Sequence, residues 1–176
     1  MITQERLKEL LHYDPETGCF TWKHRDGLVG KQKTWNIRWA GKPAGNLNKV
    51  LGYVMVYADG KNYLCHRLAW LYVHGEIPGD EIDHIDGNRA NNVLSNLRPA
   101  TRKQNAANSK MRVDNKTGLK GVFYHRNRSH QNKPWQSRIK VNCRNVSLGY
   151  FNTKEAAYEA YVSAAEALRG EFARAA

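Results

Sequence analysis

Leu7, Leu10 and Leu11 fall on one stripe of the opening segment, and Thr3 stands where an N-cap belongs, so the pattern predicts a short amphipathic helix over about 3–12. Asp14-Pro15-Glu16-Thr17-Gly18 breaks it, and Cys19-Phe20-Thr21-Trp22 reads as a strand. From Asp26 to Asn48 the apolar positions follow no period, which predicts mostly loop. Gly52 to Tyr57 is rich in β-branched and aromatic residues; with Asp59-Gly60 and then Asn62 to Cys65 it makes a hairpin around a tight turn. His66 to His74 carries apolar residues on nearly every side, as a buried helix does, and Gly75 with Pro78 ends it.

Beyond Glu81 the chain turns polar and Asn-rich, with a short helix expected over about 101–108 and a linker from Ser109 to Thr117. Lys120–Tyr124, Trp135–Val141 and Arg144–Phe151 read as successive strands. Thr153 to about Leu168 reads as a helix with Ala156, Ala157, Ala160, Tyr161, Ala164 and Ala165 on one side, small enough to lie close against a sheet. The division expected is therefore a domain at 1–112 and a second at 113–176.

Charge separates the same two regions. The net charge is +12, yet residues 1–100 hold 13 Lys and Arg against 11 Asp and Glu, whereas residues 101–150 hold 12 against 1. Such a stretch calls for a polyanionic partner, because each phosphate neutralised releases condensed counterions. Three cysteines without a Cys-x-x-Cys pair suit a reducing cytoplasm. No run approaches eighteen apolar residues and the N-terminus has no secretory pattern, so a cytoplasmic chain without membrane attachment is expected, in a bacterial or phage-infected cell.

Asp83-His84-Ile85-Asp86-Gly87-Asn88, followed by Asn91-Asn92, Asn96-Leu97-Arg98 and Asn105, holds most of the chemical information. An Asp-His pair at a strand end can serve two stations where a loop re-aims one side chain, and a helix laid over two strands can bring the Asn105 amide beside Asp83. Two oxygen ligands plus waters describe a Mg²⁺ site. An imidazole with an ordinary pKa of about 6.5 can take a proton from water near neutrality. For Asp86-Gly87 and Asn91-Asn92, plain turn chemistry is the simpler reading.

This order of residues, with the preceding His66-Arg67-Leu68-Ala69-Trp70, resembles the HNH endonucleases of the phage and intron homing type. The resemblance implies an α+β fold, with a ββα-metal (His-Me finger) core at about 80–108. It also implies His84 as general base, Asn96 bracing the loop and orienting that histidine, and Asp83 with Asn105 holding one divalent ion, Mg²⁺ or Mn²⁺, per active site. Products would be a 3′-hydroxyl and a 5′-phosphate. Asn105 stands where many relatives carry a final histidine. His66 is open between an approach to the site and a place in the scaffold.

Gly118-Leu119-Lys120-Gly121-Val122, Trp135 to Ile139, Leu148-Gly149-Tyr150-Phe151 and Ala156 to Tyr161 resemble the ethylene-response-factor DNA-binding domain of plants. That resemblance implies a three-stranded antiparallel sheet plus one helix that presents Lys120, Arg126, Arg128, Gln136, Arg138, Lys140 and Arg144 to double-stranded DNA. Phe123 occupies a position where a base-reading arginine is expected, so the plant domain's target does not carry over. The leading expectation is a site-directed DNA endonuclease acting as a monomer or weak dimer. The competing ones are a non-cleaving DNA-binding regulator with a degenerate HNH unit and an RNA-directed nuclease.

Overall fold

The structure is a computed structural model that describes residues 2–30, 33–109, 111, 114–126, 132–142 and 144–173. It is a mixed α and β chain that divides into two compact units, residues 1–102 and 103–176. The division falls earlier than the 112/113 boundary that composition suggests. The reason is local: the Lys120 ammonium donates to the carbonyls of Ala107 (3.2 Å) and Ser109 (2.7 Å), which ties the end of the preceding helix to the second unit.

In the first unit α1 (Gln4–Leu10) is capped by Thr3, whose hydroxyl accepts from the Arg6 amide at 3.2 Å. It runs directly into β1 (Leu11–Asp14), which pairs antiparallel with β2 (Cys19–Trp22). α2 (Lys33–Trp39) follows, then the two-residue strands β3 (Pro43–Ala44) and β4 (Asn46–Leu47). The region without a period thus holds a helix. No residue of α2 is buried, so no amphipathic stripe announces it. Asn36 holds it instead: its Oδ1 accepts from the Arg25 amide, its Nδ2 donates to the Arg25 carbonyl, and the Arg25 guanidinium stacks 3.7 Å from the Trp35 ring centre.

β5 (Val54–Ala58) and β6 (Lys61–Leu64) form the hairpin, and its turn residues Asp59 (φ 45°) and Gly60 (φ 78°) are both left-handed, as a primed turn requires. α3 (Cys65–His74) packs its Cys65, Leu68, Ala69 and Leu71 into a core with Leu7, Leu10, Leu11, Tyr13, Phe20 and Val56, and ends at left-handed Gly75. β7 (Glu81–His84) and β8 (Leu97–Ala100) close the unit as a two-stranded antiparallel pair.

α4 (Arg102–Ala107) leads into the second unit. Here β9 (Val122–Tyr124), β10 (Trp135–Val141) and β11 (Arg144–Phe151) make an antiparallel sheet in the order β11-β10-β9. α5 (Lys154–Arg169), capped by Thr153, lays Tyr161 and Ala165 against Ile139. Gly121 (φ 76°) allows that close approach, since a Cβ there would meet the Tyr161 ring at 2.0 Å. Among the described residues no helix is long and apolar enough to cross a membrane.

Candidate active site

The register of β7 on β8 sets Asp83 opposite Arg98 and His84 opposite Leu97. Asp83 and His84 are 3% and 4% exposed. A carboxylate taken out of water needs a compensating charge. Arg98 supplies it, its Nε and Nη2 donating to Asp83 Oδ2 at 3.0 and 2.9 Å. Sequence reasoning gives Arg98 no role; an opposite charge across an antiparallel pair was the available signal, but only once the register is known.

The loop between the strands is held by side chains. Asn96 Oδ1 accepts from the Asp86 amide (3.0 Å), while its Nδ2 donates to Asp86 Oδ1 (3.0 Å) and to the Asn91 carbonyl (2.9 Å). Asp86 also accepts from the Asn88 amide and from Asn91 Nδ2. Some loss of hydration works against the charge of the exposed Asp86, but these hydrogen bonds outweigh it and hold its pKa below the ordinary carboxylate value. Asn96 is therefore a brace of the loop.

The side chain that meets the imidazole is Asn92. His84 Nε2 lies 3.2 Å from Asn92 Oδ1, and an amide oxygen only accepts, so Nε2 carries the proton and Nδ1 the lone pair. Turn chemistry alone does not describe Asn92, which is 4% exposed. The turn between β1 and β2 seats it: Tyr13 Oη donates to the Asn92 carbonyl (2.7 Å) and the Leu94 amide to the Pro15 carbonyl (3.0 Å). Gly18 (φ 70°) completes the seat, for a Cβ there would lie 2.4 Å from both Asn92 C and Val93 N. Nothing in the spacing of residues 14–18 and 92–94 reveals this contact, because it is made through the backbone.

His66, at the start of α3, sets its ring edge-on to His84 with centroids 4.9 Å apart, and Tyr53 lies 5.1 Å from His66 and 6.1 Å from His84. The open question about His66 is thus answered by proximity to His84. Among the described residues His66 Nδ1 has no hydrogen-bond partner. Burial, then the neighbouring His84 and Arg67, push the His66 pKa down to about 3. Burial likewise lowers the His84 pKa, against the opposing pull of the Asn92 hydrogen bond and of Asp86 and Asp83. Both rings are consequently neutral at pH 7, the state in which an imidazole can accept a proton.

Asp83, His84 and Asn96 share the first unit, whereas Asn105 sits half-buried on α4 and groups with the second. In that second unit Gln136, Arg138 and Lys140 alternate with buried Ser137 and Ile139 along β10, so the polar set faces away from α5. His125 Nε2 and Gln136 Oε1 are 2.9 Å apart, Gln136 Nε2 donates to Ser147 Oγ, and the Arg138 guanidinium stacks 3.8 Å over Phe123. Arg126 and Arg144 are exposed, and Lys120 is engaged with the carbonyls at the end of α4. Arg128 lies outside the described residues, as do Cys143 and His130.

The family model for HNH endonucleases matches residues 63–107, the stretch that runs from β6 through the braced loop to α4. Protein 3.8 of Escherichia phage T7 is 34% identical over 110 residues, covering 62% of this chain and 87% of that protein. The chain belongs to the HNH endonuclease family. An uncharacterized HNH endonuclease of Acanthamoeba polyphaga mimivirus is 37% identical over 123 residues, which are 69% of this chain and 61% of that protein. Among solved structures, that of DNA binding and cleavage by the HNH homing endonuclease I-HmuI matches with 28% identity and a TM-score of 0.40, covering 56% of this chain and 51% of that one. The chain thus spans about three fifths of the mimivirus protein and half of the solved HNH chain.

Proposed function

We propose that this HNH protein is a divalent-cation-dependent DNA endonuclease of the homing type, hydrolysing a phosphodiester to a 3′-hydroxyl and a 5′-phosphate. The observation that carries the reading is the buried, neutral His84 imidazole, fixed in one tautomer by Asn92 and adjacent to a buried carboxylate. Its Nδ1 lone pair takes the proton from an attacking water, and Asn92 keeps the ring from turning.

The donors suit a hard cation. Asp83 offers a carboxylate that would hold Mg²⁺ or Mn²⁺ with water and phosphate in the shell, and the resemblance to the HNH endonucleases implies Asn105 as the second protein ligand. When bound, the ion supplies positive charge against the phosphate and the leaving 3′ oxygen. Arg98, already on Asp83 Oδ2, fixes the carboxylate's orientation. The second unit, with exposed Arg126, Lys140 and Arg144 and its likeness to the ethylene-response-factor domain, selects the site on double-stranded DNA.

The test is a supercoiled-plasmid nicking assay with wild type and His84→Ala, each with Mg²⁺ and with chelator. Wild type with Mg²⁺ nicks, and the variant is slower by about 10²–10⁴-fold. Tight DNA binding by a wild type that cuts no sequence with any divalent ion would establish the regulator reading instead.

A further inference from the structure

The turn joining β4 to β5 combines rigidity with apolar exposure. Asn48 Oδ1 accepts from the amides of Val50 (3.1 Å) and Leu51 (3.0 Å), the Gly52 amide donates to the Asn48 carbonyl (2.7 Å), and the Asn48 amide donates to the Tyr53 carbonyl (2.8 Å). Gly52 closes the turn at φ 74°. At its tip Val50 is 93% exposed and Leu51 48%, beside exposed Lys49. Single exposed apolar residues are ordinary on a surface. Two of them on a turn this well held, next to a lysine, are not accounted for by packing within the fold.

The tip is also coupled to the candidate active site. Arg89, from the braced loop, donates through Nη1 to the Leu51 carbonyl at 3.0 Å and lays its guanidinium 4.9 Å over the Tyr53 ring. Tyr53 is the ring that faces His66 and His84. A fixed spacer of one arginine and one tyrosine therefore separates the apolar tip from the imidazole. A phosphodiester presented to His84 brings its flanking base pairs to this part of the unit.

We propose that Lys49-Val50-Leu51 is a DNA wedge: Val50 and Leu51 enter the minor groove beside the scissile phosphate and part a base step, while Lys49 contacts the backbone. Apolar side chains that insert into the minor groove unstack a step and bend the duplex, and cations flanking them offset phosphate charge. The bend sets the phosphate in line with His84, and Arg89 transmits the position of the tip to the catalytic loop. The inference rests on the endonuclease reading of the same site.

The experiment uses the full-length protein and a duplex carrying a nick site mapped with wild type, with 2-aminopurine at the step beside that site. Fluorescence is read in EDTA, where binding occurs without cutting, and nicking is read separately with Mg²⁺. Wild type raises the fluorescence and nicks. The Val50→Ser, Leu51→Ser double variant keeps the wild-type Tm, loses the fluorescence rise and nicks about 10²-fold more slowly, the effect of a misplaced reacting group; Val50→Ile restores both readouts relative to Val50→Ser. Lys49→Gln reduces the slope of log K against log salt by about 0.9. Wild-type fluorescence and nicking in the double variant would overturn the wedge and leave the nuclease reading standing. A wild type that neither binds nor nicks DNA would overturn both.

Discussion

The loop between β7 and β8 and the outer face of the β9–β11 sheet are both polar, but they treat their polar groups in opposite ways. At the end of β7, Asp83 and His84 are withdrawn from water and answered one by one, by Arg98 and by Asn92, and in the loop that follows exposed Asp86 is held by Asn91 and Asn96. On the sheet, Lys140 and Arg144 stay exposed, and Arg138 is steadied by an aromatic ring. Chemistry on a phosphodiester needs a base held neutral and in one orientation, which burial provides. Attraction to a polyanion needs cations that keep their charge and give up only counterions, which exposure provides. The same residue types thus do different work according to the water around them.

Asn92→Ala should break this contrast most severely, because it frees the imidazole and leaves a buried N–H without its acceptor. Nicking should fall by about 10²-fold, with DNA binding in EDTA unchanged, as read by single-turnover kinetics beside a mobility-shift titration. Next comes Arg98→Ala, which strands the Asp83 charge in the interior; urea denaturation should record a loss of about 3–5 kcal/mol.

Acid should sharpen the comparison. His66 is neutral when folded, with its pKa pushed to about 3, while the unfolded chain takes up a proton near 6.5. Between those values the unfolded state binds more protons, so stability is full above about pH 6.5 and falls by about 1.4 kcal/mol per unit below it. His66→Phe should flatten that slope in pH-dependent denaturation, whereas alanine at sheet residues Lys140 and Arg144 should leave it unchanged. Lys140→Ala and Arg144→Ala should produce the smallest effect, each removing about 0.9 from the salt slope of DNA binding where the side chain meets a phosphate.

Elements with a hydrophobic period are legible in the sequence itself. The apolar stripe of α1, the hairpin around Asp59-Gly60 and the helix from Cys65 to His74 announce themselves because burial dictates their spacing. α2 did not, since it buries nothing and is held by Asn36 and a cation–π stack. In the candidate site, Asp83 and His84 stand out as a pair, whereas Arg98 depends on strand register and Asn92 on contacts with the β1–β2 hairpin, more than seventy residues away in sequence. Asn96, which binds the loop together, stands out in the asparagine run, whereas nothing in the sequence singles out Asn92 as the side chain that meets the ring.

That distant turn limits how small a fragment can be cut with the candidate site intact. The family match begins at residue 63, and a minimal HNH module cut there would keep the Asp-His pair and the asparagine loop. It would discard Tyr13, Pro15 and Gly18, on which Asn92 rests. The imidazole would then lose its tautomeric anchor, so the segment carrying Tyr13, Pro15 and Gly18 belongs with the asparagine loop as one piece of the candidate site.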